Sequence, residues 1–250
     1  MKGIINKIIP FSNVDGPGNR LSIFFQGCKF DCLYCHNPET IPIYDLHNVD
    51  EYKKIYNESL LVMTVEDVIN EIDKVATFIQ GITVSGGECT LQWKFLTEIF
   101  KAVKEKWPHM TCFVDSNGLI PMWTEDKKEL LQVMDKMMLD IKAYTKEDHE
   151  LMTGISNELV LKNFEYLVQV DKIYEVRTVI VPEILNNEKM VDDISKLIAK
   201  FNKNIKYKLI KYRQYGVRKE ILRAYTPSQE YMENLKKIAE SNGLIDIIIV

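Results

Sequence analysis

Short apolar runs alternate along this chain with longer stretches in which apolar residues recur at three-and-four spacing. The runs 21–26, 82–85, 111–115, 137–142, 174–181 and 206–212 are rich in β-branched, aromatic or large apolar residues and predict strands. Between most of them, residues 65–78, 93–106, 126–134, 158–170, 188–201 and 228–242 carry the helical period. Thr64 ahead of Glu66 and Asp67, and Ser228 ahead of Glu230, predict two helix starts. Residues 245–250 predict a last strand. Repeated strand-helix units imply parallel strands joined by right-handed crossovers. About six such units are too few for eight-stranded closure, so the expected fold is α/β, a partial (open) β/α barrel. We expect a single domain over residues 1–250 with an inserted loop around 41–61.

Chemistry in such a fold gathers at the C-terminal ends of the strands and in the loops that follow. Every unusual polar group of this chain maps there. Cys28, Cys32 and Cys35 follow the first main strand, in the run Cys28-Lys-Phe-Asp-Cys32-Leu-Tyr-Cys35. Three thiolates on one short loop are one ligand short of a closed metal site, and an incomplete shell is what a catalytic metal centre needs. Ser85-Gly86-Gly87-Glu88 follows the second strand, Asp115-Ser116-Asn117-Gly118 ends the third, and Asp140 and Lys142 end the fourth. Strand alternation puts Asp140 and Lys142 on one face. In the next strand Arg177, one of only five arginines in the chain, shares a face with Val179 and Val181. A cation in an apolar strand demands an anionic partner.

Composition narrows the function classes. A chain of 250 residues, 46% hydrophobic, buries a substantial core. A net charge of -4 offers no basic field for a polyphosphate backbone, so nucleic acid is not an expected partner. Asn6 and Lys7 interrupt the apolar N-terminal stretch, which therefore reads neither as a secretory signal nor as a spanning helix. Five cysteines, an odd number with three close together, fit reduced thiols and metal in a cytoplasmic protein better than a disulfide framework.

Plainer readings stand beside these. A structural zinc site would need a fourth ligand; His36, directly beside Cys35, is badly placed to share the metal, and Cys89 and Cys112 lie far off in sequence. Paired glycines after a strand often make only a tight turn. Asp115 and Asp140 are each the kind of residue that caps a turn, and Asp140 with Lys142 makes a simple ion pair. Cys89 and Cys112 read as small buried residues. His47, His109 and His149, in polar surroundings, read as surface residues.

The Cys-X3-Cys-X2-Cys spacing with Tyr34 before the last cysteine resembles the signature of the radical S-adenosylmethionine (SAM) superfamily. Asp15-Gly16-Pro17-Gly18-Asn19-Arg20, Tyr34-Cys35-His36-Asn37 and Ser85-Gly86-Gly87-Glu88 narrow the likeness to glycyl radical enzyme activating enzymes, closest to the pyruvate formate-lyase activating group. It continues through Asp115-Ser116-Asn117-Gly118, residues 138–142 and residues 177–182. The resemblance implies that Cys28, Cys32 and Cys35 hold three irons of one [4Fe-4S] cluster, the fourth iron being left to the amino and carboxylate groups of SAM. It implies further SAM contacts from Tyr34, His36, Asn37, Gly86, Gly87, Glu88, Ser116, Asp140, Lys142, Arg177 and Arg213, and a monovalent cation near Asp115 and Asp140. Reductive cleavage of SAM would give methionine and a 5′-deoxyadenosyl radical that takes hydrogen from a glycine of a large partner enzyme. Flavodoxin or ferredoxin would supply the electron. Asp15, Gly16 and Arg20, near the cysteine loop, would form part of the entrance for the partner's loop.

The chain departs from the family pattern at Cys89, where proline or a small residue is common, at Glu183, where glycine is common, and at Arg213, where a SAM-contacting histidine aligns. Two other classes remain open: a radical SAM enzyme acting on a small molecule, which should lack Asp15-Gly16-Pro17-Gly18, and a non-enzymatic zinc module.

Overall fold

The strand-helix alternation is realised in a computed structural model that describes residues 1–48, 60–218 and 220–250. The centre of the expected insertion, residues 49–59, lies outside the described residues. The strands are β1 (Lys2–Ser12), β2 (Arg20–Phe25), β3 (Leu61–Thr64), β4 (Gly81–Gly86), β5 (Thr111–Ser116), β6 (Lys136–Asp140), β7 (Ile173–Ile180), β8 (Lys206–Lys211) and β9 (Ile247–Ile249). The chain forms two compact units, the first from Met1–Lys29, Glu39–Ser116 and Met122–Met137, the second from Phe30–Pro38, Asn117–Pro121 and Met138–Val250.

In the first unit the strand order is β3-β1-β2-β4-β5. β1 runs antiparallel to β2 and β3. β2, β4 and β5 are parallel, with Arg20 opposite Gly81 and Gly81 opposite Thr111 at their N-terminal ends, and Phe25 opposite Gly86 at the other. Leu21, Ile23 and Phe25 alternate inward and are fully buried, as are Leu96, Ile99, Phe100 and Val103 of the helix Trp93–Lys106. Phe25 stacks on Phe95 of that helix at 5.5 Å. In the second unit the order is β6-β7-β8-β9, with β7, β8 and β9 parallel. Among the described residues β3 pairs with β1 alone and β9 with β8 alone, so the α/β architecture is open, as the count of strand-helix units implies. Among the described residues no helix is long and apolar enough to cross a membrane.

Thr64 starts its helix as expected: its hydroxyl accepts from the Asp67 N–H, and the Asp67 carboxylate accepts from the Thr64 N–H, a complete capping box. That helix stops at Asp73 and a separate 3-10 turn follows at Ala76–Phe78, short of the expected continuous span. β1, β3 and the helix Lys146–Thr153 were not expected from the pattern. β1 carries Asn6 at a buried position, satisfied by Gln26 at 3.2 Å, which breaks the apolar run without breaking the strand.

One expectation is corrected. His149 is fully buried rather than exposed: its ring meets Phe30 edge-on at 5.3 Å, and Nδ1 donates to the Ile155 carbonyl at 2.6 Å. Arg20, expected at the entrance for the partner's loop, is fully buried. Its guanidinium donates to Thr83 Oγ1, the Ile82 and Pro17 carbonyls, and both Oγ1 and the carbonyl of Thr111, and lies over the Phe113 ring at 4.4 Å. Residues 15–20 precede β2 whereas the cysteine loop follows it, and six residues of strand put about 17–20 Å between the two ends. Asp15 turns back along the strand, its carboxylate accepting from Ser12 at 2.6 Å and Ser22 at 2.8 Å.

Replacing Arg20 with alanine should therefore cost about 3 kcal/mol, because it empties a buried volume and strands several acceptors. The urea midpoint of the apo-protein, measured at unchanged m-value, checks this.

Candidate active site

In the first unit, main-chain bonds hold the start of the cysteine loop. Gly27 N–H donates to the Thr40 carbonyl at 2.9 Å and Cys28 N–H to that of Ile41 at 3.0 Å. The turn after β4 is packed too closely for side chains. A Cβ at Gly86, whose φ is +123°, would lie 2.1 Å from the Phe25 carbonyl oxygen, and one at Gly87 would lie 2.5 Å from that of Gly27. Glu88 secures the turn from below. It is 1% exposed, its N–H donates to the Gly27 carbonyl, and Oε1 accepts from the Thr90 N–H, the Thr90 hydroxyl and the Ser116 hydroxyl at 2.9 Å. Glu88 and Ser116 thus join the ends of β4 and β5. Ser85 donates to the Asp115 carboxylate at 3.1 Å. Cys89 is buried with its thiol on the Val84 and Asp115 carbonyls, and Cys112 is buried too, which agrees with reading both as packing residues.

In the second unit, the C-terminal end of the helix Lys146–Thr153 holds the rest of the loop. Asp31 N–H donates to the Thr153 carbonyl and Leu33 N–H to that of Met152, each at 3.0 Å, and Cys35 N–H closes a turn on the Cys32 carbonyl at 3.1 Å. Burial pushes the Cys32 thiol up to about 11, against the opposing pull of Lys142. Tyr34 is 3% exposed and packs with Met152, Val181 and Tyr212. The Lys142 ammonium stands 5.7 Å from its ring centroid. Burial disfavours charge on Lys142, but Asp140 at 2.5 Å outweighs it and holds the lysine above its ordinary range.

The anion that Arg177 requires is Glu175, two residues earlier on the same face of β7. Arg177 Nε lies 2.5 Å from Glu175 Oε1, which also takes Lys208 at 2.7 Å, and Glu175 is 2% exposed. Alternation along β7 could have revealed Glu175; Lys208 had no such signal. His36 is half-buried and donates from Nδ1 to the Tyr215 carbonyl at 2.7 Å. Asn37 is half-buried and Arg213 is exposed in the loop after β8. Glu183, where the family favours glycine, has φ +67°, the left-handed region in which glycine carries no penalty.

The residues present fit a cluster and a polar cosubstrate. No disulfide joins any of the five cysteines. A thiol held protonated to about 11, as Cys32 is, gives up its proton to a metal cation. Among the described residues no three His, Cys, Asp or Glu side chains converge as a single metal ion requires; in a cubane each thiolate takes its own iron. The Tyr34 hydroxyl is buried without a hydrogen-bond partner, an orphaned polar atom beside the lysine.

The model of the Radical SAM superfamily matches residues 22–198, and the chain belongs to that superfamily. Its cofactors are a [4Fe-4S] cluster and SAM, and the chain is an enzyme of this type. It is 33% identical to a putative glycyl-radical enzyme activating enzyme of Haemophilus influenzae, over 98% of this chain and 96% of the relative. It is also 33% identical to the pyruvate formate-lyase 1-activating enzyme of Escherichia coli K12, over 96% and 97%. The crystal structure of QueE from Escherichia coli aligns with 100% of this chain and 94% of its own at TM-score 0.60 and 11% identity, a likeness of fold.

Two outcomes follow, the first for the apo-protein and the second for the reconstituted protein. At pH 8 only about one Cys32 in a thousand is thiolate, so Cys32 should alkylate slowly, its rate rising towards pH 11; peptide mapping after timed iodoacetamide treatment reads this. Gly86→Ala should destabilise the fold by about 2 kcal/mol and weaken SAM binding at least about tenfold, since both φ and the Phe25 backbone oppose a Cβ. Anaerobic calorimetry with SAM checks it.

Proposed function

We propose that this chain activates a glycyl radical enzyme. The observation that carries the reading is the cysteine loop: three thiol donors, Cys28, Cys32 and Cys35, on a segment positioned through its main chain. Similarity to activating enzymes over nearly the whole chain supports it. When bound, the cluster and SAM supply an electron and a 5′-deoxyadenosyl radical able to take hydrogen from glycine.

The chain's own groups bind, orient and shield. Cys28, Cys32 and Cys35 would hold the cluster. Gly86 and Gly87 offer bare backbone to the SAM amino group, and Glu88 with Ser116 keeps that turn in place. Lys142 is a cation for the SAM carboxylate, presented by Asp140. Arg177 adds a second cation, fixed by Glu175. Tyr34 and His36, on either side of Cys35, contact the adenine and methionine parts, Asn37 is a further SAM contact, and Arg213 takes the place of an aligned histidine. Asp115 and Asp140 are the carboxylates we assign to a monovalent cation. No acid-base residue is required; the protein must place reactants and exclude water. We assign both compact units to one radical SAM domain, the electron donor to flavodoxin or ferredoxin, and the location to the cytoplasm. Asp15-Gly16-Pro17-Gly18 favours this reading over action on a small molecule.

Anaerobic reconstitution should give a brown protein with about four irons per chain. With SAM, a low-potential reductant and the right partner, a persistent doublet should appear on the partner in electron paramagnetic resonance. Cys32→Ala should abolish both the cluster and 5′-deoxyadenosine formation. 5′-Deoxyadenosine without a protein radical on any candidate would instead support the small-molecule reading, and a colourless zinc protein would defeat both.

A further inference from the structure

Beyond β8 the chain returns to the cysteine loop within the second unit. Arg218 Nη2 donates to the Asp31 carboxylate at 2.5 Å and to the Cys32 carbonyl at 3.1 Å. Three residues earlier, the Tyr215 carbonyl accepts from His36 Nδ1 at 2.7 Å. Gly216, at φ +79°, comes so close that a Cβ there would lie 2.4 Å from the His36 carbonyl oxygen. Val217 between them is 7% exposed and packs in one apolar cluster with Tyr34, Tyr212 and Leu222. Residues 215–218 therefore touch the cysteine loop before Cys32 and after Cys35.

The contacts at Cys32 converge on one peptide group. Its N–H belongs to Leu33 and donates to the Met152 carbonyl; its C=O belongs to Cys32 and accepts from both Cys35 N–H and Arg218. A planar peptide held at both ends cannot rotate, and with the Asp31 N–H held by the Thr153 carbonyl on the preceding side, the backbone at Cys32 and its Cα–Cβ direction are confined. The planar guanidinium can reach a carboxylate and a carbonyl together, where an ammonium is a single point. Its buried Nε has no hydrogen-bond partner, so the acceptors on the cysteine loop are what hold the group in place.

We propose that Arg218 is a positioning residue for the iron-sulfur centre, and that residues 215–218 form a latch that keeps Cys32 aimed to bind iron. The proposal rests on the radical SAM reading. Arg218 acts through the Cys32 peptide.

The test compares the parent with Arg218→Ala, Arg218→Lys and Gly216→Ala after anaerobic reconstitution. Iron and sulfide per chain, the half-life of the cluster under a chelator, and the resonance spectrum of the reduced cluster with and without SAM are measured. Circular dichroism melts of the apo-proteins monitor folding. Arg218→Ala should fold normally, lose iron about tenfold faster and give a broadened reduced-cluster spectrum. Arg218→Lys should restore part of the iron retention. Gly216→Ala should repeat the alanine phenotype by pushing the latch away from His36. The proposal is overturned if Arg218→Ala keeps iron as long as the parent with the same spectrum, or if its defect is a lowered melt that lysine does not relieve. A parent that takes up no iron brings down the radical SAM reading itself, and the latch with it.

Discussion

A loop that must offer its cysteines to a metal has to be held by something other than those cysteines, and here the main chain does it. The helix Lys146–Thr153 ends at Gly154, whose φ of +78° turns the chain sharply away. A helix end leaves carbonyls without partners. Those of Met152 and Thr153 accept from Leu33 and Asp31, so one set of bonds finishes the helix and fixes the loop. The same economy operates in the first unit, where Gly27 offers its N–H to Thr40 and its carbonyl to Glu88. Neither arrangement consumes a thiol.

Charge in the second unit is organised on the same principle. Each buried cation already has its anion: Lys142 has Asp140, and Arg177 shares Glu175 with Lys208. Removing one member of such a buried pair costs about 3–5 kcal/mol, because the survivor is left uncompensated. The pairs therefore keep the strand ends stable without a ligand. An incoming carboxylate need not supply all the compensation for a bare cation. On the reading proposed above it would meet a lysine already oriented by its partner, which would lower the ordering cost of binding.

How far this was legible depends on whether the signal was local. The helix Trp93–Lys106 appears with its expected bounds because its apolar face repeats without interruption. The cysteine spacing, the glycine pair and the acidic strand ends are local patterns as well. The helix Lys146–Thr153 escaped notice because it is mostly polar and short; Thr145, whose side chain accepts from Asp148 N–H, and the acidic first turn of Glu147 and Asp148 were its start signals. β1 was obscured by Asn6, a polar residue whose acceptability depends on Gln26, twenty residues away. His149 misled for the same reason. A polar residue in polar sequence surroundings is read as exposed, whereas His149 is covered by Phe30, far along the chain. The grip of Arg218 on Cys32, 186 residues apart, has no sequence signature at all.

The departures from the family pattern show which positions tolerate change. Cys89 adds a fourth thiol close in sequence to the glycine turn, an apparent competitor for iron. It is fully buried, and burial beside Glu88 and Asp115 raises its thiol well above the usual range. It therefore stays protonated, donating to the Val84 and Asp115 carbonyls as a small polar filler. Glu183 retains the left-handed backbone that glycine would adopt at no penalty, a strain of roughly 1–2 kcal/mol that the surrounding fold absorbs. Both substitutions keep the backbone path and alter only what hangs from it. The glycines at 86, 87 and 216 admit no such freedom, because there the neighbouring backbone occupies the space a Cβ would need.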